Sequence, residues 1–390
     1  MNTAGFDRER FRREYSAFLQ PGRILLTGHS HQAWPDRARS AMDQAFDDAA
    51  RFVDDKWEHA VFPLVADVGR RTLARLGFNE DDTISFGKSS HELGYRLLSC
   101  FGPNPRIVTT TGEFHSLERQ LRRLAEAGAS VTWVPRNPVS SLAERLIEAV
   151  GAGVDLLAVS TTFYEDAAIW PGFAEVSDHA ARTGTTVLAD AYHGFGALEL
   201  SWPSVREHLF VVSGGYKYAQ FGEGVCFMRV PSSTTLRPVY TGWFADFGAL
   251  GDERAHGGAV GYGAGSQRFS GATFDPVSFY RARAALDVFD EHGLTPAVLR
   301  ELSVAQTERI AATLESAAVP LVSPRAAAER AGFVAARVKD AQAVVKALRA
   351  ENVYVDARGE ALRFGPAPYL TESEIDAGVA AGIRLISSRS

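Results

Sequence analysis

Between about residues 83 and 230 the sequence alternates short apolar runs with amphipathic stretches, and this alternation restricts the chain more than any other feature. Apolar runs separated by helix-like segments describe strands of one sheet layered by helices. The strands read as Thr83 to Phe86, Arg106 to Thr110, Ser130 to Val134, Leu156 to Ser160, Thr186 to Ala189, Phe210 to Ser213 and Gly224 to Val230. Seven strands with helices between them predict an α/β fold built on a large, mostly parallel sheet.

The flanks read differently. Residues 232 to 275 are rich in Gly and aromatics, including the run Gly257 to Gly265, and predict a long loop region, ordered or mobile. After Pro276 a helical pattern runs to His292 with Gly293 as its C-cap, and a second helix runs to about Ala317. Strands at Gly332 to Val338, Val353 to Asp356 and Ala361 to Gly365, with helices between and after, predict a small α+β unit. The opening segment offers a helix Asp7 to Leu19, a strand Ile24 to Leu26 and a helix Pro35 to Phe52, too little for a core of its own. The expected organisation is an N-terminal segment (1–50) packing on the others, a large domain (51–275) and a small C-terminal domain (276–390).

A net charge of -6 and a pI near 6.0 argue against nucleic-acid or anionic-membrane partners, which need clustered basic surface. The two cysteines, Cys100 and Cys226, form no metal or redox motif, so no metal is expected and a reduced compartment is. The charged stretch Phe6 to Arg13 lacks a signal peptide's apolar core, and no apolar run approaches membrane-spanning length. A cytoplasmic protein is the expectation.

Two strand ends carry chemistry. In Ser213-Gly214-Gly215-Tyr216-Lys217-Tyr218 one lysine lies between two phenols just after an apolar strand. Desolvation there would lower its pKa and free a neutral amine for a Schiff base, although many such lysines are solvated surface groups. About one βα unit upstream, Val187 to Gly194 ends a strand in Asp190, with His193 three residues later. Ligands sit at the carboxyl ends of strands in open α/β sheets, yet such an acid also caps helices. Pyridoxal phosphate needs a lysine for its aldehyde and a carboxylate for its pyridinium nitrogen, and Lys217 and Asp190 supply both.

Three further motifs suit that cofactor. Ser89 and Ser90 open a helix after a strand, where free amides favour phosphate; the same pattern makes Ser89 an ordinary N-cap with Glu92 closing a capping box. Phe114, in Gly112-Glu113-Phe114-His115-Ser116, could lie on a pyridine ring or belong to the core. Arg363, before the Gly365-Pro366 turn, could take a substrate carboxylate or an internal salt bridge.

Taken together, these motifs resemble the kynureninase branch of the class V aminotransferase superfamily, the fold-type I pyridoxal-phosphate (PLP) enzymes, over roughly residues 22 to 385. Tyr216-Lys217-Tyr218 is similar to the family's Tyr-Lys-Tyr, which implies the Schiff base on Lys217 and a phosphate contact from Tyr216. The resemblance implies Asp190 on the pyridinium nitrogen, His193 beside the ring, Phe114 stacked on it, Ser89 and Ser90 at the phosphate, and Ser160 at its strand end within the cofactor site. Gly242-Trp243-Phe244 and Arg268 to Thr273 resemble the family's cofactor loops, which implies roles for Trp243 and Thr273 and, because that loop usually crosses from a partner subunit, a homodimer. Arg363-Phe364-Gly365 is similar to the family's arginine for the substrate α-carboxylate. Where the family usually reads Asp-Gly-Asn-Ser-Leu-Gly, this chain has Leu26-Thr27-Gly28-His29-Ser30-His31-Gln32, which changes the rim and brings His31 in as a candidate substrate contact, with the role of His29 open.

The implied activity is hydrolysis of the Cβ–Cγ bond of a kynurenine-like γ-keto amino acid to alanine and an acid, with Lys217, Tyr216 and Asp190 as catalytic groups. Alternatives on the same scaffold are transamination or another class V lyase reaction, and a PLP-fold binding protein without catalysis. Desulfurases that relay a persulfide need a mobile-loop thiol, which neither cysteine offers.

Overall fold

A computed structural model gives the conformation of residues 6–251 and 258–388. The chain opens with α1 (Arg8–Arg12), β1 (Ile24–Leu25), α2 (Arg37–Phe52) and α3 (Phe62–Arg75). There follow β2 (Thr83–Gly87), α4 (Ser90–Leu98), β3 (Arg106–Thr110), α5 (His115–Glu126), β4 (Ser130–Val134), α6 (Leu142–Ala149), β5 (Leu156–Ser160), α7 (Phe173–Thr183), β6 (Thr186–Asp190), β7 (Leu209–Gly214) and β8 (Cys226–Val230). The last third comprises α8 (Val277–Glu291), α9 (Pro296–Ser316), β9 (Val334–Arg337), α10 (Ala341–Ala350), β10 (Val353–Tyr354), β11 (Asp356–Arg358), β12 (Ala361–Phe364) and α11 (Glu372–Ser387).

The expected α/β fold with its seven-stranded, mostly parallel sheet is present. The strand order is β2-β8-β7-β6-β5-β3-β4. Strand β8 runs antiparallel to both neighbours, β2 and β7, and the other pairs are parallel. Six strands therefore end on one edge. Successive side chains of a strand point to opposite faces, and here both faces are buried. Leu157, Val159, Val187, Ala189 and Val211 join one apolar cluster, while Leu156, Ala158, Leu188, Phe210 and Val212 join another on the opposite side. Helix α5 turns Leu117 and Leu121 onto the second face.

A third cluster combines the chain's two ends. Phe11, Tyr15 and Leu26 pack with residues of α9, β9, α10, β12 and α11. Strand β1 pairs in parallel with β10, and Thr27 bridges Gly365. The single strand expected over Val353 to Asp356 divides at Val355: β10 pairs with β1, while β11 pairs with β12, which pairs with β9. The backbone changes partner there, which turns Asp356 toward its register partner Arg363.

Helix α3 has no counterpart in the sequence reading; its apolar stripe, Leu64, Val68 and Leu73, packs in the first cluster. Of the Gly/aromatic region, Trp243–Ala249 and Gly265–Phe269 form 3-10 turns, and Gly257 lies outside the described residues. Among the described residues no helix is long and apolar enough to cross a membrane.

Arg229 and Asp82 form a buried ion pair that ties β8 to the start of β2, and Arg229 Nη1 also donates to the Arg206 carbonyl at 2.8 Å. Removing one partner strands the other charge, so Asp82→Ala is expected to lower unfolding stability by about 3–5 kcal/mol in denaturant titration. Arg70→Ala, at a mostly exposed side chain, is expected to change it by less than about 1 kcal/mol.

Candidate active site

The parallel strands bring the predicted residues to one edge of the sheet. Asp190 ends β6, Ser160 ends β5, and their Cα atoms are register partners. Strand β7 ends at Gly214, and the turn after it is closed by Gly215 N–H to the Val225 carbonyl and Phe221 N–H to the Gly215 carbonyl, each 2.9 Å. A side chain at Gly214 would overlap the Tyr192 hydroxyl and Cys226, and one at Gly215 would overlap Phe221. Two glycines in succession let the chain fold back and deliver Lys217 inward.

Lys217 is buried, 6% exposed. Its Nζ is 2.6 Å from His193 Nε2 and 4.4 Å from the centre of the Tyr192 ring, with Phe114 at 5.5 Å. Burial pulls its pKa down to about 7; Arg363 and Arg358 act in the same direction, while Asp190 and Asp356 oppose it. The neutral amine is thus accessible near physiological pH. Burial, with Lys217 and Arg363 nearby, holds His193 well below its ordinary value, so its ring is uncharged. Burial pushes the Asp190 carboxyl up, against the Tyr192 N–H that donates to Oδ1 at 2.8 Å and the charge of Lys217.

Beneath these groups Glu113 joins two strand ends. Its Oε2 accepts from the Ser160 N–H (2.9 Å) and hydroxyl (2.7 Å), and Oε1 accepts from the Thr110 hydroxyl. Burial raises Glu113 to about 7. The Ser160 hydroxyl is therefore committed to Glu113. Phe114 is half-buried at the start of α5 and meets Tyr164 edge-on, 5.3 Å between centres.

At the start of α4 the Ser89 hydroxyl accepts the Glu92 N–H at 3.2 Å, and Glu92 Oε2 accepts the Lys88 N–H at 3.2 Å, one residue earlier than a capping box closes. The cap leaves other first-turn amides for an anion. Ser90 begins that turn. Tyr216 lies against Tyr192 (5.1 Å) and under the exposed ring of His31 (4.9 Å, 22°). Trp243 stacks on Phe244, and Thr273 lines a cavity of about 940 Å³ together with Lys88 and Glu92; Lys217, His193, Asp190 and Phe114 are not among its lining residues.

Arg363, 2% exposed, forms the internal salt bridge weighed against a substrate role. Nε and Nη2 grip Asp356 Oδ1 and Oδ2 at 2.8 and 2.5 Å, and Nη1 donates to the Tyr164 carbonyl. A guanidinium has five N–H groups, so one remains on each of Nη1 and Nη2. Asp356 is held far below the usual carboxylate range, burial working against it and His29 and Arg363 overcoming that.

Sequence reasoning gave no role to Glu113, Tyr164 or Asp356 and left His29 open. Glu113 adjoins Phe114 and Asp356 lies seven residues before Arg363, so closeness in sequence to residues already singled out was their only signal. Their partners are 47 residues or more away in the cases of Ser160 and His29.

A phosphorylated pyridine aldehyde suits these residues. Lys217 offers the amine. Asp190 makes no ion pair with an arginine among the described residues, which leaves it for a ring nitrogen. Ser213 keeps a buried hydroxyl with no protein partner near the start of the Lys217 turn. Among the described residues no cluster of three or more side chains could hold a metal ion.

Residues 299–381 match the family model for the kynureninase C-terminal domain. No curated protein sequence matches the chain. Solved structures with the same fold include C-DES, in a form with glycine covalently linked to its PLP cofactor (TM-score 0.81, 17% identity, covering 95% of this chain and 98% of that one). Cysteine desulfurase from Thermococcus onnurineus NA1 is similar at TM-score 0.80 and 18% identity, covering 97% and 98%. The cysteine desulfurase CsdA of Escherichia coli follows at 0.78 and 16%, covering 98% and 99%. At such identities these relationships establish the fold.

Because its pKa falls to about 7, Lys217 gains reactivity as pH rises from 6 to 8 and then levels off, whereas an ordinary lysine gains about tenfold per unit to beyond pH 10. Reductive methylation of the cofactor-free protein with formaldehyde, read at Lys217 by mass spectrometry, is expected to follow the first profile.

Proposed function

We propose that this chain binds pyridoxal 5′-phosphate on Lys217 and hydrolyses the Cβ–Cγ bond of a kynurenine-like γ-keto amino acid, water adding to the γ-carbonyl so that alanine and an acid are released. The observation that carries the reading is the buried Lys217 amine, 2.6 Å from an uncharged His193, in a site that also contains Asp190 and the two remaining N–H groups of Arg363. The match of residues 299–381 to a kynureninase domain supports the choice of reaction. That match spans Arg363 and Asp356.

When bound, the cofactor supplies an electron sink for charge developing on the substrate's α- and β-carbons. The protein's own groups do the rest. Arg363 holds the α-carboxylate through Nη1 and Nη2. Asp190 keeps the ring nitrogen protonated, its carboxylate restored by that cationic partner. Lys217 would take the α-proton on Nζ, for which a pKa near 7 suits it, and His193 would steady Nζ. Burial raises the pKa of Tyr216, so its phenol stays protonated and serves as proton donor when the bond breaks. Phe114 would cover one face of the ring, Ser89 and Ser90 would serve the phosphate, and Trp243 and Thr273 would complete the same site from a partner subunit of a homodimer.

A second reading is cleavage of a C–S bond at the same β-carbon. It is favoured by the fold neighbour described as a cystine C–S lyase in complex with cysteine persulfide. A persulfide relay through this chain's thiols is disfavoured, because burial pushes Cys100 up to about 12 and Cys226 up to about 11. Transamination needs the same Lys217, Asp190 and Arg363.

The test is incubation of the PLP-loaded protein with L-kynurenine, 3-hydroxy-L-kynurenine and L-cystine in heavy water, with products identified by mass spectrometry. Deuterated alanine with the aryl acid is expected. Pyruvate and a persulfide from cystine alone would transfer the assignment to C–S cleavage, and α-deuteration without cleavage would transfer it to a different γ-keto substrate or to transamination.

A further inference from the structure

Among the described residues, His29 is the one buried imidazole near Arg363 that the proposed reaction leaves without a task. Backbone pairing seats it. The Gly28 N–H donates to the Gly365 carbonyl, and the Gly365 N–H donates to the Leu26 carbonyl, both at 2.8 Å. A side chain at Gly365 would run into the His29 ring, so only glycine lets the ring lie there. The imidazole is fully enclosed, rests on Phe333 at 4.6 Å between centres, and sets Nε2 2.7 Å from Asp356 Oδ1. Burial first, then the charge of Arg363, lowers its pKa to about 4. At neutral pH the ring is uncharged with its proton on Nε2, since Asp356 can only accept, while Nδ1 is buried without a partner.

The arrangement answers a problem created by Asp356. A carboxylate beside Arg363 competes with any substrate carboxylate for the same guanidinium. Were Asp356 free to rotate, it could swing from the Nε–Nη2 edge and take the remaining N–H groups itself. His29 fixes Oδ1 from the far side, so Asp356 stays on the inner edge.

We propose that His29 is a positioning residue for the substrate carboxylate: it locks Asp356 on the inner edge of Arg363 and so keeps the Nη1 and Nη2 donors turned to the α-carboxylate of an amino acid. The proposal rests on the carboxylate reading of Arg363. His29 acts through Asp356 and does not touch the substrate, because its only N–H is already used.

The experiment titrates PLP-loaded protein with L-alanine, which carries the α-carboxylate, and with ethylamine, which lacks it, and follows the cofactor's near-visible absorption. His29→Leu is expected to weaken L-alanine binding by about tenfold or more and to leave ethylamine binding unchanged. His29→Gln, whose Nε2 falls near that of histidine, is expected to restore binding to within about threefold. Should His29→Leu fail to fold, His29→Asn, too short to reach Asp356, takes its place. Arg363→Gln tells the two levels apart. Loss in Arg363→Gln with no loss in His29→Leu overturns the role of His29 alone; no loss in either overturns the carboxylate reading. Equal loss for alanine and ethylamine in His29→Leu also overturns the proposal, since positioning of a carboxylate donor cannot affect an amine without one.

Discussion

A buried primary amine is the constraint around which the rest is arranged. Desolvating an ammonium is costly, and the chain meets that cost by letting Lys217 approach neutrality rather than by giving it an adjacent counter-ion. His193 at 2.6 Å and the face of Tyr192 at 4.4 Å accommodate an amine in either state. Asp190 moves the other way, its carboxyl raised by burial. Two groups of opposite sign pushed toward neutrality in one place are poised for a ligand that restores charge to one and bonds covalently to the other.

The second organising element lies across from the sheet, where both ends of the chain meet. Thr27 bridges Gly365, His29 reaches Asp356, and Asp356 grips Arg363, whose Nη1 donates to the carbonyl of Tyr164 from the large sheet's loops. This chain of contacts couples the N-terminal segment, the β11–β12 hairpin and the sheet edge that carries Lys217. Arg363 is thereby held by three separate stretches of sequence.

Much of this architecture was legible in the sequence because local periodicity encodes it. Runs such as Leu156 to Val159 are apolar at every position, and only strands covered on both faces need that. Lys217 and Asp190 were legible because chemistry at a strand's end has few explanations once both occur in neighbouring units. Helix α3 escaped notice, as did the change of partner at Val355, because each depends on what packs against it. His29 and Glu113 were quoted in motifs yet given no task, for the same reason: their meaning lies in partners, Asp356 and Ser160, that are distant along the chain. His31, two positions after His29, is exposed and stacked on Tyr216, so a single intervening residue separates a buried anchor from a rim group.

The central claim is that Lys217 is the covalent site, and the chain offers a direct comparison, since it has only four other lysines, Lys56, Lys88, Lys339 and Lys346. Incubation with pyridoxal 5′-phosphate, reduction with borohydride and peptide mapping by mass spectrometry should find the phosphopyridoxyl group on Lys217 in stoichiometric amount. Its appearance on any of the other four with Lys217 unmodified, or scattered across all five at low occupancy, would contradict the account.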